Sequence, residues 1–375
     1  MDVSNNTTTT EYDLDEYVDL FLYPAMDHVI IPVIWPIIII VGLIGNSATV
    51  VVLLRVPQMK TPLNVYLVSL AFSDSVFLAV APIPFFRSYA ENDLHDSFHQ
   101  GNFSPYVCKI IVFLIDSSFQ ISNVMILCVS AERYLAICRP FKYRENGTRS
   151  RAFKISTAVW LTVFAYQSRL LFSVSTQTHT FPWPDGYRGL PSETTWCHYC
   201  GPENDLACKI VIHTYVADIG VGLLIIVGMV PMYVLMVMEL RKSPFNESKN
   251  IENRIKAERK IFRTVTVTVS IYAMCFLPYR LLNLFIQYYN DFDQYKFTNV
   301  ANLTRTPMFM NAAINPIIYT LTNKTYRDAF CWYFNPCGCD VSVKGSRKRV
   351  DNNLKVVSQA VSSTATAASV VSEQC

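Results

Sequence analysis

The feature that most constrains this chain is the recurrence of long apolar stretches broken by short charged ones. A bilayer core about 30 Å thick needs about 20 mainly apolar residues per helical span. Seven such stretches stand at approximately 30–54, 63–89, 106–138, 153–175, 209–240, 261–289 and 298–322. The second, third and seventh carry polar residues within them. The expected fold is an all-α membrane protein, a seven-transmembrane helix bundle. Composition agrees, since the chain is 51% hydrophobic but only 16% charged, against roughly 25% in ordinary soluble domains. No internal repeat is visible, so a transporter built from related halves gains no support. Neither H-E-x-x-H nor G-x-S-x-G occurs, and a membrane enzyme would need some such constellation. No nucleic-acid partner is expected.

A net charge of +3 conceals a strong asymmetry: residues 1–54 hold no Lys or Arg, yet contain Asp2, Glu11, Asp13, Asp15, Glu16, Asp19 and Asp27. Basic residues gather after the first, third and fifth spans, as at Arg55, Lys60, Arg139, Arg149, Arg151, Arg241, Arg254 and Arg263. The positive-inside rule makes those loops cytoplasmic and the N-terminus external. Residues 1–29 then form an extracellular acidic, glycosylated segment and 30–322 the bundle. Residues 323–335 form an amphipathic helix, and 336–375 a disordered cytoplasmic tail. A basic start and apolar h-region are missing, so the first span is expected to serve as its own insertion signal. Asn5, Asn6 and Asn102 stand in external N-x-S/T sequons. Acidic neighbours around Tyr12 and Tyr17 suit tyrosine sulfation, although a plain solvated acidic tail is the favoured reading.

The same map sorts the cysteines and histidines. Cys108, Cys197, Cys200 and Cys208 face the oxidising side, and one bridge is expected from Cys108 to Cys197 or Cys200, with the choice open. The histidines, His95 among them, fall at or near the outer surface and read as solvated loop residues. Residues 324–334 alternate basic and aromatic side chains, which suits a short helix on the inner membrane surface in contact with lipid. Cys331, Cys337 and Cys339 are placed for palmitoylation there. The Ser- and Thr-rich tail offers kinase and arrestin sites.

Polar groups in hydrocarbon face the bundle interior or a wet cavity by default. Asn46, Asp74, Ser122, Asn311 and Asn315 form such a set. One carboxylate among neutral oxygen donors (Asp74, Ser122, Asn311, Asn315) could hold an allosteric Na⁺, or serve as a water-bridged hydrogen-bond network; no other cofactor is expected. Pro278 and Pro316 interrupt the sixth and seventh spans and mark candidate hinges. At 1.5 Å per residue, Asp116 lies about 25 Å along its helix from Arg133, and Glu258 about 33 Å from Arg280. Arg280 and Arg305 on outer helix halves would be costly facing lipid, and a polar cavity open to the outside explains both. Asp116, Gln120, Phe276 and Tyr279 could complete its wall, as aromatic faces with a few polar anchors do in ligand sites generally.

The joint motifs are specific: G-N-S-A-T-V at 45–50, L-A-F-S-D at 70–74, E-R-Y at 132–134, Trp160, C-F-L-P-Y at 275–279 and N-P-I-I-Y at 315–319. The chain resembles a rhodopsin-like (class A) G-protein-coupled receptor over about residues 30–335. Within that family, T-P-L-N-V-Y-L-V-S-L-A, A-E-R-Y-L-A-I-C-R-P and L-P-Y-R are similar to receptors for thyrotropin-releasing hormone and related amidated neuropeptides. The resemblance implies that Tyr279, Arg280 and Arg305 contact a peptide, joined by Asp116 and Gln120, which depart from the hormone receptor's own pattern. It implies a switch of Glu132, Arg133, Tyr134, Glu258, Phe276, Pro278, Asn315, Pro316 and Tyr319. In the resting state Glu132 and Glu258 hold Arg133. It also implies a heterotrimeric G protein of Gq type acting through phospholipase C and calcium. The alternatives are a receptor for another short peptide coupled to Gi/o and, after it, a membrane transporter. Phe276 replaces the usual Trp, with Tyr272 one turn inward. In the fifth span either Glu239 or Tyr233 takes the position of a Tyr that supports the active state.

Overall fold

The structure is a computed structural model and describes residues 14–95, 103–198, 206–242, 266–267, 270–279, 281–282, 294–322 and 324–334. A short helix, α1 (Leu14–Asp19), precedes two long ones, α2 (Asp27–Arg55) and α3 (Pro62–Glu91). Helix α4 (Pro105–Cys138) is followed by the short α5 (Pro140–Asn146) and by α6 (Arg149–Gln167). A β-hairpin of β1 (Ser175–Thr180) and β2 (Glu193–His198) leads into α7 (Leu206–Lys242). Helices α8 (Ser270–Tyr279) and α9 (Gln294–Thr322) complete one compact unit. The second unit contains α10 (Lys324–Phe334), an amphipathic segment with Tyr326 buried and Cys331 exposed.

Among the described residues four helices are long and apolar enough to cross a membrane: α2, α3, α4 and Val216–Glu239 within α7. Helix α6 starts four residues before the expected span and ends eight before it. Its first six residues include Arg149, Arg151 and Lys154, and the chain beyond it makes a separate turn at Arg169–Ser173 before the hairpin. Local chemistry sets the boundaries. Thr61 caps α3 by accepting from Asn64 N at 3.3 Å, and Thr148 caps α6 by accepting from Arg151 N at 3.2 Å; each satisfies an amide that the first turn leaves open. Pro62, Pro105 and Pro140 sit at helix starts, where a missing N–H costs nothing.

Among the described residues, the hydrogen bonds that cross between helices are side-chain mediated, as interhelical contacts in lipid tend to be. Trp160 Nε1 donates to Ser69 Oγ at 2.7 Å, joining α6 to α3. Trp35 Nε1 donates to Thr306 Oγ1 at 2.9 Å, and Asn46 Nδ2 to the Ala312 carbonyl at 2.9 Å, joining α2 to α9. Arg169 Nη2 meets Asp218 Oδ2 at 2.6 Å and ties the turn after α6 to α7.

One finding corrects a sequence expectation. Residues 14–23 are not wholly solvated: Asp15 and Asp19 stay exposed, but Val18 and Phe21 pack with Leu94 and with Phe181, Trp183 and Leu190 of the hairpin loop. Tyr23 N donates to the Asp93 carbonyl at 3.1 Å and His95 N to the Phe21 carbonyl at 2.8 Å. Arg188 Nη1 reaches Asp19 Oδ1 at 2.7 Å. The acids that sequence reading assigned to solvent therefore alternate with apolar residues that cover the hairpin, and a short amphipathic helix buries one face.

Gly42 fixes how closely three helices approach. A Cβ there would stand 2.5 Å from Leu78 Cδ1 and 2.7 Å from Ala313 Cβ, so α2 could not keep its distance from α3 and α9. Gly42→Val is expected to lower the melting temperature of the purified protein by overpacking worth about 1–3 kcal/mol. Gly220→Ala, where a Cβ meets nothing within 4 Å, is the control. Equal melting of the Gly42 variant and wild type would contradict the close approach.

Candidate functional site

Three regions along the bundle hold the polar residues that the sequence singles out. The first is a cavity of about 160 Å³ at the end of the bundle that carries the hairpin. Its walls include Phe77, Phe85, Phe103, Phe119 and Phe309, and its polar groups are Asp116, Tyr279 and Arg305. Helix α4 supplies Asp116, α8 Tyr279 and α9 Arg305, so three helices set their mutual geometry. Cys197 of β2 also lines it, because the Cys108–Cys197 disulfide ties the hairpin to the top of α4. That bridge settles the partner of Cys108. Gln120 is buried one turn below Asp116 but is not among the cavity-lining residues. Arg280 lies outside the described residues.

Arg305 is held by its neighbours. Its guanidinium lies 4.8 Å from the centroid of the Phe85 ring, a cation–π placement, and Nη1 donates to Asn302 Oδ1 at 2.7 Å. Asn302 Nδ2 in turn donates to Asp27 Oδ2 at 2.8 Å, with His95 Nε2 3.4 Å from the same carboxylate oxygen. His95 and Asn302 are 0% exposed and Asp27 is 1% exposed. His95 is thus not the solvated loop residue that its sequence position suggests. Asp27, His95 and Asn302 escaped sequence reading because each lies where a span meets a loop, and only the fold brings them together.

The second region is a polar hub in mid-bundle. Asp74 is 1% exposed. Ser122 Oγ donates to its Oδ1 at 2.6 Å, and Asn315 Nδ2 to its Oδ2 at 2.9 Å. Asn315 Nδ2 also lies 3.3 Å from the Asn311 carbonyl. The carboxylate therefore joins α3, α4 and α9. The Asp74 carboxylate, the Ser122 hydroxyl and the Asn315 side-chain amide, with the Asn311 carbonyl beside them, supply hard oxygen donors of the kind a small monovalent cation takes. Among the described residues no three His, Cys, Asp or Glu side chains gather as a transition-metal site would require. Between cavity and hub runs an aromatic column: Phe119 stacks on Phe276 at 6.1 Å, and Tyr272 follows at 5.3 Å. A Cβ at Gly222 of α7 would run into the Phe276 ring.

The third region is the opposite end of α4. Glu132 is 3% exposed, and its Oε2 accepts from Arg151 Nη2 of α6 at 2.7 Å. The expected pairing with Arg133 is not what the structure gives. Arg133 Nε and Glu132 Oε1 are both buried with no hydrogen-bond partner. Glu258 lies outside the described residues. Tyr143 of α5 stands beside the same carboxylate; burial, reinforced by the Glu132 charge, pushes its phenol above the usual tyrosine range. Tyr134 and Tyr233 pack with Ile137 and Met236. That contact resolves the fifth span, since Tyr233 turns into the bundle while Pro231 and Glu239 are exposed. Pro278 is exposed on α8, and Pro316 and Tyr319 are buried on α9. Asn5, Asn6, Asn102, Cys200, Cys337 and Cys339 lie outside the described residues.

The helical bundle thus has a lined cavity at one end, a polar hub at its centre and a part-buried ion pair at the other. The model for the rhodopsin family of seven-transmembrane receptors matches residues 45–319, well over half of the chain, and the protein belongs to that family. It is accordingly a multi-pass plasma-membrane receptor and not an enzyme. The chain is 26% identical over 354 residues to the neuromedin U receptor homolog nmur-2 of Caenorhabditis elegans, covering 86% of this chain and 85% of that one. It is 27% identical over 330 residues to neuromedin-U receptor 2 of Homo sapiens, covering 84% and 74%. It is 26% identical over 310 residues to somatostatin receptor type 3 of Homo sapiens, covering 82% and 68%.

Cys197→Ser should leave Cys108 open to alkylation in unreduced protein, whereas Cys200→Ser should leave it protected. The reverse pattern in peptide mass mapping would contradict the hairpin anchor.

Proposed function

We propose that this receptor is activated from outside the cell by a short peptide, with its N-terminus extracellular, and that occupancy of the outer cavity promotes nucleotide exchange on a heterotrimeric G protein. One observation carries the reading: Asp116, Tyr279 and Arg305 converge from three helices on an aromatic-walled cavity. Its volume is smaller than the roughly 300–1,000 Å³ of whole small-molecule sites. It suits the end of a peptide whose remainder rests against the hairpin and the N-terminal segment. Arg305 offers charge-assisted hydrogen bonds to a terminal carbonyl or carboxylate. Asp116 accepts from an amide or a basic group. Arg280 and Gln120 extend these contacts. The similarity to neuromedin U and somatostatin receptors supports a peptide ligand.

The finer reading is an amidated peptide of the thyrotropin-releasing hormone class and a Gq protein acting through phospholipase C and calcium. It rests on the L-P-Y-R stretch, which carries Tyr279, and on Arg305. A ligand shifts the helix arrangement only by its differential affinity for two states. Pro278 and Pro316 supply the hinges, and the Phe119–Phe276–Tyr272 column lies between the cavity and the inner end. Na⁺ held by Asp74, Ser122, Asn311 and Asn315 would favour the ligand-free arrangement. Receptor kinases and arrestin would act on hydroxyls of the 336–375 tail, palmitate on Cys331, Cys337 and Cys339 would anchor α10 to lipid, and Asn5, Asn6 and Asn102 would carry glycans.

The test is a panel of amidated peptides on cells expressing the receptor, read for calcium and cAMP in parallel. A calcium rise is expected. Arg305→Ala should weaken the active peptide by about 10- to 100-fold, as loss of a charged hydrogen bond worth about 1.5–3 kcal/mol implies. A cAMP change without calcium would contradict the Gq assignment, and unchanged potency would contradict the cavity.

A further inference from the structure

The motif Glu132–Arg133 suggests an ion pair between neighbours, yet consecutive residues of an α-helix do not face each other. Glu132 turns towards α6 and meets Arg151 there at 2.7 Å, while Arg133 turns elsewhere. The carboxylate is 3% exposed, but the Arg151 side chain is 30% exposed. The buried member is therefore the acid, and a buried acid stripped of its cation is strongly unfavourable. The cap at Thr148 fixes the first turn of α6 and with it the position of Arg151. Glu132 Oε1 and Arg133 Nε, both buried, make no hydrogen bond to each other, and Tyr143 stands beside the acid as well. One carboxylate thus stands within reach of two cations, and the structure commits it to one.

We propose that Arg151 is a positioning residue for G-protein engagement, holding Glu132 on the α6 side so that the Arg133 guanidinium is left to the G protein. The proposal rests on the receptor reading given above. Nothing in the E-R-Y motif marks Arg151, which lies 18 residues beyond Arg133 among the basic residues of a loop. Removing Arg151 leaves the buried Glu132 with Arg133 as its remaining cation, and the receptor moves towards an arrangement in which Arg133 is occupied. Tyr143 of α5 stands beside all three charges.

The experiment compares wild type, Arg151→Gln, Arg151→Lys, Glu132→Gln and the Arg151→Gln/Glu132→Gln double variant, purified in lipid nanodiscs without ligand. Basal nucleotide exchange is measured on Gq and Gi heterotrimers, and thermal unfolding is followed on the same samples. Arg151→Gln should lower basal exchange about fivefold, the low end of couplings between sites, and Arg151→Lys should recover part of it. The double variant should match Glu132→Gln, because Arg151 has nothing to hold once the carboxylate is gone. In unfolding, the double variant should lose less than the two single variants added together. Arg151→Gln with wild-type or raised exchange, or a double variant at the Arg151→Gln level, would overturn the proposal. Additive thermal losses would overturn it without reference to any G protein. A wild type silent towards both heterotrimers, with the thermal coupling present, would contradict the receptor reading while upholding the Glu132–Arg151 pair.

Discussion

A carboxylate sealed in the middle of a bilayer protein is the constraint around which this molecule is arranged. Asp74 can stay there only because donors from two other helices reach it, Ser122 at 2.6 Å and Asn315 at 2.9 Å. Intramembrane ionisable groups face the bundle interior and a partner for that reason. The consequence is geometric. Helices α3, α4 and α9 must meet at one depth, and Gly42 lets α2 close against α3 and α9 at nearly the same level. Asn46, four residues on, then bonds to α9 through the Ala312 carbonyl.

From that hub the two ends of the bundle differ in what they leave adjustable. At the cavity end, the disulfide, the N-terminal segment and the buried Asp27–His95–Asn302 cluster fix Arg305 against Phe85. That end is preorganised, so an incoming ligand finds its cation already oriented. At the other end, Glu132 has taken Arg151 while Arg133 Nε lacks a partner. A packed interior is bistable more readily than it is deformable, and small shifts are amplified where two pairings compete. The aromatic column of Phe119, Phe276 and Tyr272 lies between the fixed end and the adjustable one.

Much of the fold was legible because a bilayer demands long apolar runs and tolerates few exceptions. Asp74, Asn315 and Ser122 stood out as exceptions, and the structure brings them together. Arg305 followed from the cost of charge in lipid, and Asp116 and Tyr279 from the aromatic faces and few polar anchors that line ligand cavities generally. What could not be read depends on loops and on facing directions. The N-terminal segment looked solvated because five acids fall within residues 11–19, although Val18 and Phe21 are enough to bury one face. His95 and Asp27 looked like loop residues because nothing local records Asn302. Glu132 was matched with Arg133 because they are adjacent in sequence, and adjacency is the relation that a helix does not turn into contact. Tyr233 and Glu239 competed for one role until packing against Ile137 separated them.

The dependence of signalling on the Asp74 charge is tested most directly by ligand-free nucleotide exchange in Na⁺ and in K⁺ at equal ionic strength, for wild type and Asp74→Asn. The substitution keeps the size of the side chain and its capacity to hydrogen-bond while removing the charge. Exchange by the wild type should be lower in Na⁺ than in K⁺, and the variant should show no difference between the two salts. A wild type indifferent to the cation, or an Asp74→Asn variant that keeps the same Na⁺ effect, would contradict the hub as the point on which both ends depend.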